Sequence, residues 1–272
     1  MVTFTPDLSS FLLSPSDLTA VATCEYGWLH DAVDPRLGRA SRPDQEDGFL
    51  ERVSALGDAH EARTLERLKA EHGPDGVVEL PRAAAHTPEA IADAVEASRR
   101  ALASGAPVVF QAMLHDGVFG GYADFLVREA DGAYEVVDTK LARHARVTAL
   151  LQIAAYADLL DGMGVPRARH GSLWLGDGTA HRVDLEEIIP VYRRQRARLE
   201  RRLRAHMDAG RPVAWDDDVA VCGQCAACEE AVAEHRDVLL TAGATRVQRT
   251  RLRKEGVRTL EDLAATEHAP AG

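Results

Sequence analysis

The middle of the chain alternates between apolar, β-rich runs and segments with helical spacing. Three runs combine β-branched and aromatic residues with turn sequences that contain glycine, which predicts three consecutive strands: residues 107–114, 118–128 and 134–142. Apolar positions at helical spacing then predict a helix over residues 147–160. The dipeptide Asp177-Gly178 predicts a hairpin formed by residues 171–175 and 179–183.

Amphipathic segments on both sides of these strands predict further helices. The first is expected to begin at Ser14-Pro15 and to carry Val21 and Cys24. Three others are expected at residues 57–72, 87–104 and 188–207. A polar stretch, residues 34–47, is predicted to be a loop. This order of elements predicts an α/β fold, in which helices flank a central mixed sheet.

Composition adds limits on the class of protein. The chain has 272 residues, of which 46% are hydrophobic and 28% charged, as is ordinary for a globular protein. It has no apolar run of membrane-spanning length and no signal-peptide pattern, so the expectation is a cytoplasmic protein without a membrane partner. The net charge of −11 argues against non-specific coating of nucleic acid. Two basic segments, residues 193–204 and 246–254, are either solvated helix faces or surfaces that face DNA.

Two predicted strands carry a candidate site for a divalent metal ion. Asp138 and Lys140 lie two positions apart in a strand and therefore share a face, and Asp124 on the preceding strand can lie across from them. Carboxylates are the ligands that Mg²⁺ prefers, and a lysine beside them can orient a water or neutralise developing charge. An Asp-x-Lys triplet also occurs as a surface charge pair, but a buried charged face needs a compensating group such as a metal.

Three other side chains are weaker candidates by their local sequence alone. Gln152 and Tyr156 lie one helical turn apart, so they either contact DNA near the lysine or are a surface glutamine beside a core tyrosine. His60 lies on the predicted helix of residues 57–72, where a lone histidine is more often structural than a ligand. By the same reasoning, Glu61 and Glu66 are expected to be ordinary acids on the helix surface.

The four cysteines point to a metal instead of disulfides. Cys222, Cys225 and Cys228 follow each other at metal-ligand spacing, and Cys24 is the remaining cysteine. Cys24 and Cys222 are 198 positions apart, so a shared metal would close a long loop and constrain the unfolded chain.

Together these motifs resemble the RecB-like branch of the PD-(D/E)xK nuclease superfamily. The resemblance covers most of the chain and implies a restriction-endonuclease-like core of a central mixed sheet flanked by helices. It also implies functional roles. His60 would be a third metal ligand beside Asp124 and Asp138, Lys140 would complete the catalytic set, and Gln152 with Tyr156 would support DNA binding.

The cysteines resemble those of AddB-type and CRISPR-associated nucleases of this branch. That resemblance implies a structural [4Fe–4S] cluster held by one cysteine before the core, Cys24, and three after it. The gap before Cys228 is shorter than in those nucleases, which leaves zinc bound by four thiolates as an alternative, or a Cys₃His site that uses His235.

The domain prediction is a nuclease domain over residues 1–230 followed by a small helical cap over residues 231–272. The cap contains Ala242-Gly243-Ala244-Thr245 and residues 255–263, which resemble a helix-hairpin-helix that contacts DNA phosphates; a plain helical cap is the alternative.

The predicted function is hydrolysis of DNA by a Mg²⁺- or Mn²⁺-dependent nuclease in DNA repair, recombination or processing. The chain has no phosphate-loop motif to drive the unwinding of DNA, so a helicase or recombination protein is a candidate partner beside DNA itself. A non-catalytic DNA- or partner-binding scaffold of the same fold and an iron–sulfur redox protein are the alternatives.

Overall fold

The computed structural model describes residues 1–5, 7–39, 48–83 and 87–266, without the side chains of residues 48–51, 53 and 74. The chain forms two compact units. One comprises Met1–Thr19 and Pro43–Arg201, and the other comprises Ala20–Arg42 and Arg202–Gly272. Within the described ranges, none of the helices has both the length and the apolar character needed to cross a bilayer.

The first unit contains a mixed sheet of six strands. The strands, in spatial order, are β3 (Val77–Glu79), β4 (Val108–His115), β5 (Gly120–Arg128), β6 (Tyr134–Lys140), β7 (His170–Leu175) and β8 (Ala180–Asp184). The pairs β3–β4 and β6–β7 are parallel and the other three pairs are antiparallel. The unit also contains the antiparallel pair β1 (Thr3–Phe4) and β2 (Phe11–Leu12). The predicted strands and the mixed sheet are confirmed, while three-residue β3 was not predicted.

Helices flank this sheet, as predicted. They are α3 (Gly48–His72), α4 (Pro88–Ala103) and α5 (Val147–Gly162). Leu65 and Leu68 of α3 pack on Phe125 and Val137. Val137 pairs with Ser172, so the neighbouring residue Gly171 lies on the opposite face of the sheet. A Cβ at this position would overlap a methyl carbon of Ile153 in α5. The absence of a side chain at Gly171 therefore allows α5 to pack closely on that face.

Helix α3 begins earlier than its pattern predicted, at Gly48 instead of Gly57. The start of α4 is as expected, because Thr87 Oγ1 accepts a hydrogen bond from the Ala90 N–H at 3.3 Å and Pro88 occupies the first position. The loop predicted over residues 34–47 contains a 3₁₀ turn at Pro35–Leu37, and residues 40–47 lie outside the described residues.

The second unit joins two distant segments of the chain. Its helices include α2 (Glu25–Trp28), α7 (Ala226–Glu234), α8 (Arg246–Lys254) and α9 (Leu260–Ala264). Two helices extend across the division between the units: α1 (Pro15–Thr23) and α6 (Leu185–Ala209). Cys24 was expected within the first helix, but α1 ends at Thr23 and Cys24 is the N-cap residue of α2.

Two buried aspartates cross-link the second unit. Asp34 accepts hydrogen bonds from the His206 imidazole at 2.7 Å and from the Val213 N–H at 2.9 Å. Asp237 Oδ2 accepts hydrogen bonds from Trp215 Nε1 at 2.8 Å and from Arg249 Nε at 2.9 Å. Since Arg249 lies in α8, the C-terminal helices are tied to the rest of this unit.

Candidate active site and thiolate cluster

Asp124 and Asp138 are brought together by the register of β5 and β6. Phe125 pairs with Val137 in this antiparallel ladder, so continuing the register by one residue sets Asp124 opposite Asp138. Asp124 Oδ2 accepts hydrogen bonds from the backbone N–H of Thr139 at 3.1 Å and from its hydroxyl at 3.3 Å. These bonds hold the Asp124 carboxylate against β6, beside the second acid.

Asp138 is a buried carboxylate with an incomplete set of partners. The residue is 3% exposed, and its Oδ2 lies 2.6 Å from Lys140 Nζ. Among the described residues, no hydrogen bond of regular geometry reaches this oxygen. Burial, reinforced by the negative charge of Asp124, raises the pKa of Asp138 to about 7 although Lys140 opposes the shift. A buried carboxylate oxygen without a regular hydrogen bond is suited to bind a cation.

Lys140 remains a charged partner of the two acids. Burial opposes its charged form, but the carboxylates of Asp138 and Asp124 outweigh burial and raise the pKa of Lys140. The ammonium group is therefore held as a fixed positive charge beside the acids. The predicted grouping of Asp138 with Lys140 on one strand face agrees with their 2.6 Å contact.

Glu61 is a third acid at this site, which the sequence analysis assigned to the helix surface. Burial and the negative charge of Asp124 raise the pKa of Glu61. Its carboxylate accepts a hydrogen bond from the side-chain amide of Gln111. The sequence does contain one indication of this position. Glu61 lies four and seven positions before the buried residues Leu65 and Leu68, which places it on the same face of the helix. Glu61 therefore faces the sheet.

Gln111 occupies a strained backbone position directly opposite Asp124. In the β4–β5 ladder Phe110 pairs with Phe125 and Ala112 pairs with Ala123, while Gln111 interrupts the pairing with a φ of 59°. Left-handed backbone is unusual for a non-glycine residue and often accompanies functional sites. The side chain is buried, and its amide oxygen accepts a hydrogen bond from Arg82 Nε at 2.6 Å.

His60 lies on α3 next to Glu61, with Nε2 3.4 Å from the carbonyl oxygen of Trp174 in β7. Among the described residues, the cysteines form the one group of three or more His, Cys, Asp or Glu ligand atoms that all lie within 4.8 Å of one another. His60, Asp124 and Asp138 therefore do not meet at that spacing. The role of His60 as a metal ligand stays a prediction.

Tyr156 and Gln152 both lie on α5 but in different surroundings. Burial raises the pKa of Tyr156 well above its usual value, and the charges of Asp124 and Asp138 act in the same direction. The tyrosine is therefore a neutral hydroxyl close to the acids. Gln152 lines a cavity of about 280 Å³ together with Lys140, His144 and Arg146. This cavity, in which His144 and Arg146 lie beside Lys140, was not predicted from the sequence.

The four cysteines converge in the second unit. Cys24 begins α2, Cys225 begins α7, Cys228 lies within α7, and Cys222 precedes them. None of the four forms a disulfide, and their sulfur atoms all lie within 4.8 Å of one another. The hydrogen bond shared with Cys228 lowers the pKa of the Cys24 thiol although burial opposes this. The cluster can hold a metal, as the sequence spacing predicted.

Comparison with known proteins identifies the class to which this fold and site belong. Residues 12–231 match the PD-(D/E)XK nuclease superfamily. Because the match covers most of the chain, the protein belongs to that superfamily, which points to a metal-dependent nuclease. No curated protein matches the chain.

Proposed function

We propose that the protein is a Mg²⁺- or Mn²⁺-dependent deoxyribonuclease of RecB-like type that acts in DNA repair, recombination or processing. The observation that carries the proposal is the buried Oδ2 of Asp138, which lies against Lys140 and beside Asp124 without a regular hydrogen bond. Buried charge of this kind lowers the stability of the metal-free protein, so a catalytic role gives a reason for its presence.

The acidic side chains have the chemistry that a hard divalent cation prefers. Asp124 and Asp138 offer carboxylate oxygens, and Glu61 adds a third carboxylate whose pKa responds to Asp124. The bound cation would polarise the phosphoryl oxygen and lower the pKa of a coordinated water. An imidazole ligand from His60 would favour Mn²⁺ over Mg²⁺, since imidazole suits Mn²⁺ better.

The remaining side chains would act on the substrate. The Lys140 ammonium, held at the acids, would orient the attacking water and neutralise negative charge that develops at phosphorus. The neutral hydroxyl of Tyr156 would donate a hydrogen bond near the carboxylates. Gln152, His144 and Arg146 line the cavity next to Lys140 and would contact the DNA backbone there.

Activity of purified variants tests this function. We expect the wild-type protein to degrade DNA with Mn²⁺, and Asp138→Ala and Lys140→Ala each to remove at least 99% of the rate, on the order of effects seen when an electrostatic catalytic group is lost. Asp208→Ala, which changes an exposed aspartate on α6, is the matched control and should retain full activity. Equal activity in all four proteins would show that a contaminant cuts the DNA.

Metal titration separates an enzyme from a DNA-binding scaffold of the same fold. Calorimetry with Mn²⁺ should show binding that is lost in Asp124→Ala and kept in Asp208→Ala. Binding that is unaffected by Asp124→Ala would support the scaffold and contradict the proposed enzyme.

A further inference from the structure

The distances between the cysteine sulfurs indicate which kind of metal centre the four cysteines can hold. Cys24 Sγ lies 3.5 Å from Cys228 Sγ and 3.8 Å from Cys225 Sγ, and Cys222 Sγ lies 3.8 Å from Cys228 Sγ. All four sulfurs lie within 4.8 Å of one another. A tetrahedral ion with metal–sulfur bonds of about 2.3 Å sets its ligand sulfurs about 3.8 Å apart. The four thiolates therefore have the spacing of ligands around one ion.

An iron–sulfur cubane, which the family resemblance implied, does not fit this spacing. Each of its four cysteines binds a different iron from the outside of the cluster, so the thiolates are separated by the whole cubane core. Their sulfurs must then lie much farther apart than around one shared ion. Sulfurs 3.5 to 3.8 Å apart leave no space for four irons and four sulfides between them.

The backbone around the sulfurs is also closely packed. A Cβ on Gly27 would lie 3.1 Å from Cys225 Sγ and 3.4 Å from Cys24 Sγ, so the α2 backbone directly borders two of the ligands. The Gly27 N–H donates to Cys24 Sγ at 3.3 Å, and the Cys225 N–H donates to Cys222 Sγ at 3.2 Å. Such N–H donors stabilise the negative charge that four thiolates leave on a dication.

We propose that Cys24, Cys222, Cys225 and Cys228 bind a single structural Zn²⁺ ion in place of a [4Fe–4S] cluster. Zinc with four cysteines is a closed tetrahedral site, which leaves no position for substrate. The ion would join α2 to α7, two helices from distant segments of the chain. His235 is not needed as a ligand, and its ring stacks on Trp215 with a centroid separation of 6.5 Å. This proposal does not depend on the nuclease activity.

Metal content and absorption of the full-length protein test the proposal. The protein is purified without oxygen from cells grown with ample iron and zinc, and its zinc, iron and acid-labile sulfide are measured. We expect about one zinc per chain, no sulfide and a colourless solution. A brown protein with about four irons and labile sulfide per chain overturns the proposal.

Growth in zinc-depleted, iron-rich medium excludes replacement of a native cluster by zinc during expression. We expect the purified protein to contain no acid-labile sulfide and at most about one iron per chain. Its absorption after addition of Co²⁺ should show the visible bands of tetrahedral cobalt–thiolate coordination. An iron chromophore that contains acid-labile sulfide under these conditions, or the absence of cobalt–thiolate bands, would count against a single-ion site.

Two variants identify the ligands. Cys222→Ser changes a partly exposed ligand and should reduce zinc content at least tenfold after dialysis, which measures binding even if the variant is less stable. His235→Gln is the control and should retain one zinc per chain. Zinc that is lost from His235→Gln but retained in Cys222→Ser would contradict the four-cysteine assignment.

Discussion

Replacing Asp138 by asparagine is expected to stabilise the metal-free protein and to abolish DNA hydrolysis. Asparagine resembles the protonated aspartic acid in shape but carries no charge to bury. The pKa of Asp138 is raised from 3.8 to about 7 because the carboxyl is buried and lies near Asp124. The folded protein therefore binds a proton at Asp138 that the unfolded chain releases, and this favours unfolding as the pH rises.

The size of the effect follows from the shift in pKa. Each pKa unit corresponds to about 1.4 kcal/mol, so ionised Asp138 destabilises the folded state by about 4 kcal/mol at pH 8. Because the pKa of this acid is raised in the folded state, the stability of the folded protein decreases as the pH rises. The destabilisation is small at pH 4, grows through the interval between 3.8 and about 7, and is complete above it. For a chain of this length, 4 kcal/mol corresponds to roughly 7 °C in the midpoint of thermal unfolding.

Urea and thermal unfolding of the wild-type protein and Asp138→Asn, without Mg²⁺ or Mn²⁺, measure this difference. The variant should be more stable by about 4 kcal/mol at pH 8 and by under about 1 kcal/mol at pH 4. Asp208→Asn on the protein surface is the control and should differ from wild type by less than about 0.5 kcal/mol at both pH values. A variant that is no more stable than wild type at pH 8, or a gain that does not change with pH, would refute the reasoning.

The other predictions concern three further groups. Glu61→Gln should lower the rate of DNA cleavage and the affinity for Mn²⁺ about 10- to 100-fold, as the loss of groups that support a metal site does. The control Glu66→Gln should change neither quantity. Equal effects of the two substitutions would mean that Glu61 only stabilises α3. Arg146→Ala should raise KM for DNA and reduce the dependence of binding on salt by about one phosphate contact. The control Arg100→Ala changes an exposed arginine on α4 and should leave cleavage unchanged, and a loss in kcat alone in Arg146→Ala would contradict the proposed backbone contact. Hydrogen bonds with His206 and Val213 lower the pKa of Asp34 although burial opposes them, so its stabilising effect is present above the usual aspartate pKa and is lost as the pH falls through the lowered value. Asp34→Ala should therefore destabilise the second unit by about 3–5 kcal/mol at pH 7 and by less in acid, and a pH-independent difference in urea unfolding would contradict this account.

Much of the sheet was predictable because its strands are bounded by clear turn signals. Asp116-Gly117 and Asp131-Gly132 separate β4, β5 and β6, and alternation along β6 correctly grouped Asp138 with Lys140. Strand β3 was missed because three residues are too few to establish a pattern. The start of α3 was placed too late because the stretch before Gly57 has no distinctive cap or stop signal.

The candidate site was only partly predictable, because some of its members depend on tertiary contacts. Helical spacing to Leu65 and Leu68 indicates which face of α3 carries Glu61, but its hydrogen bond with Gln111 and its nearness to Asp124 depend on how α3 packs on the sheet. The left-handed conformation of Gln111 was not predictable either, because glutamine has no local preference for it. For the cysteines, spacing predicted a metal, but the sulfur–sulfur distances on which the single-ion proposal depends are a property of the fold.

The separation of the cysteines along the chain also determines when the thiolate site can form during synthesis. Cys24 leaves the ribosome 198 residues before Cys222, and all six strands of the main sheet are translated in the interval. At typical elongation rates this interval lasts on the order of 10–40 s. During that time the other three cysteines of the site have not been made, so Cys24 must stay reduced until residue 228 has been translated. A metal that needs all four cysteines can therefore bind only after that point.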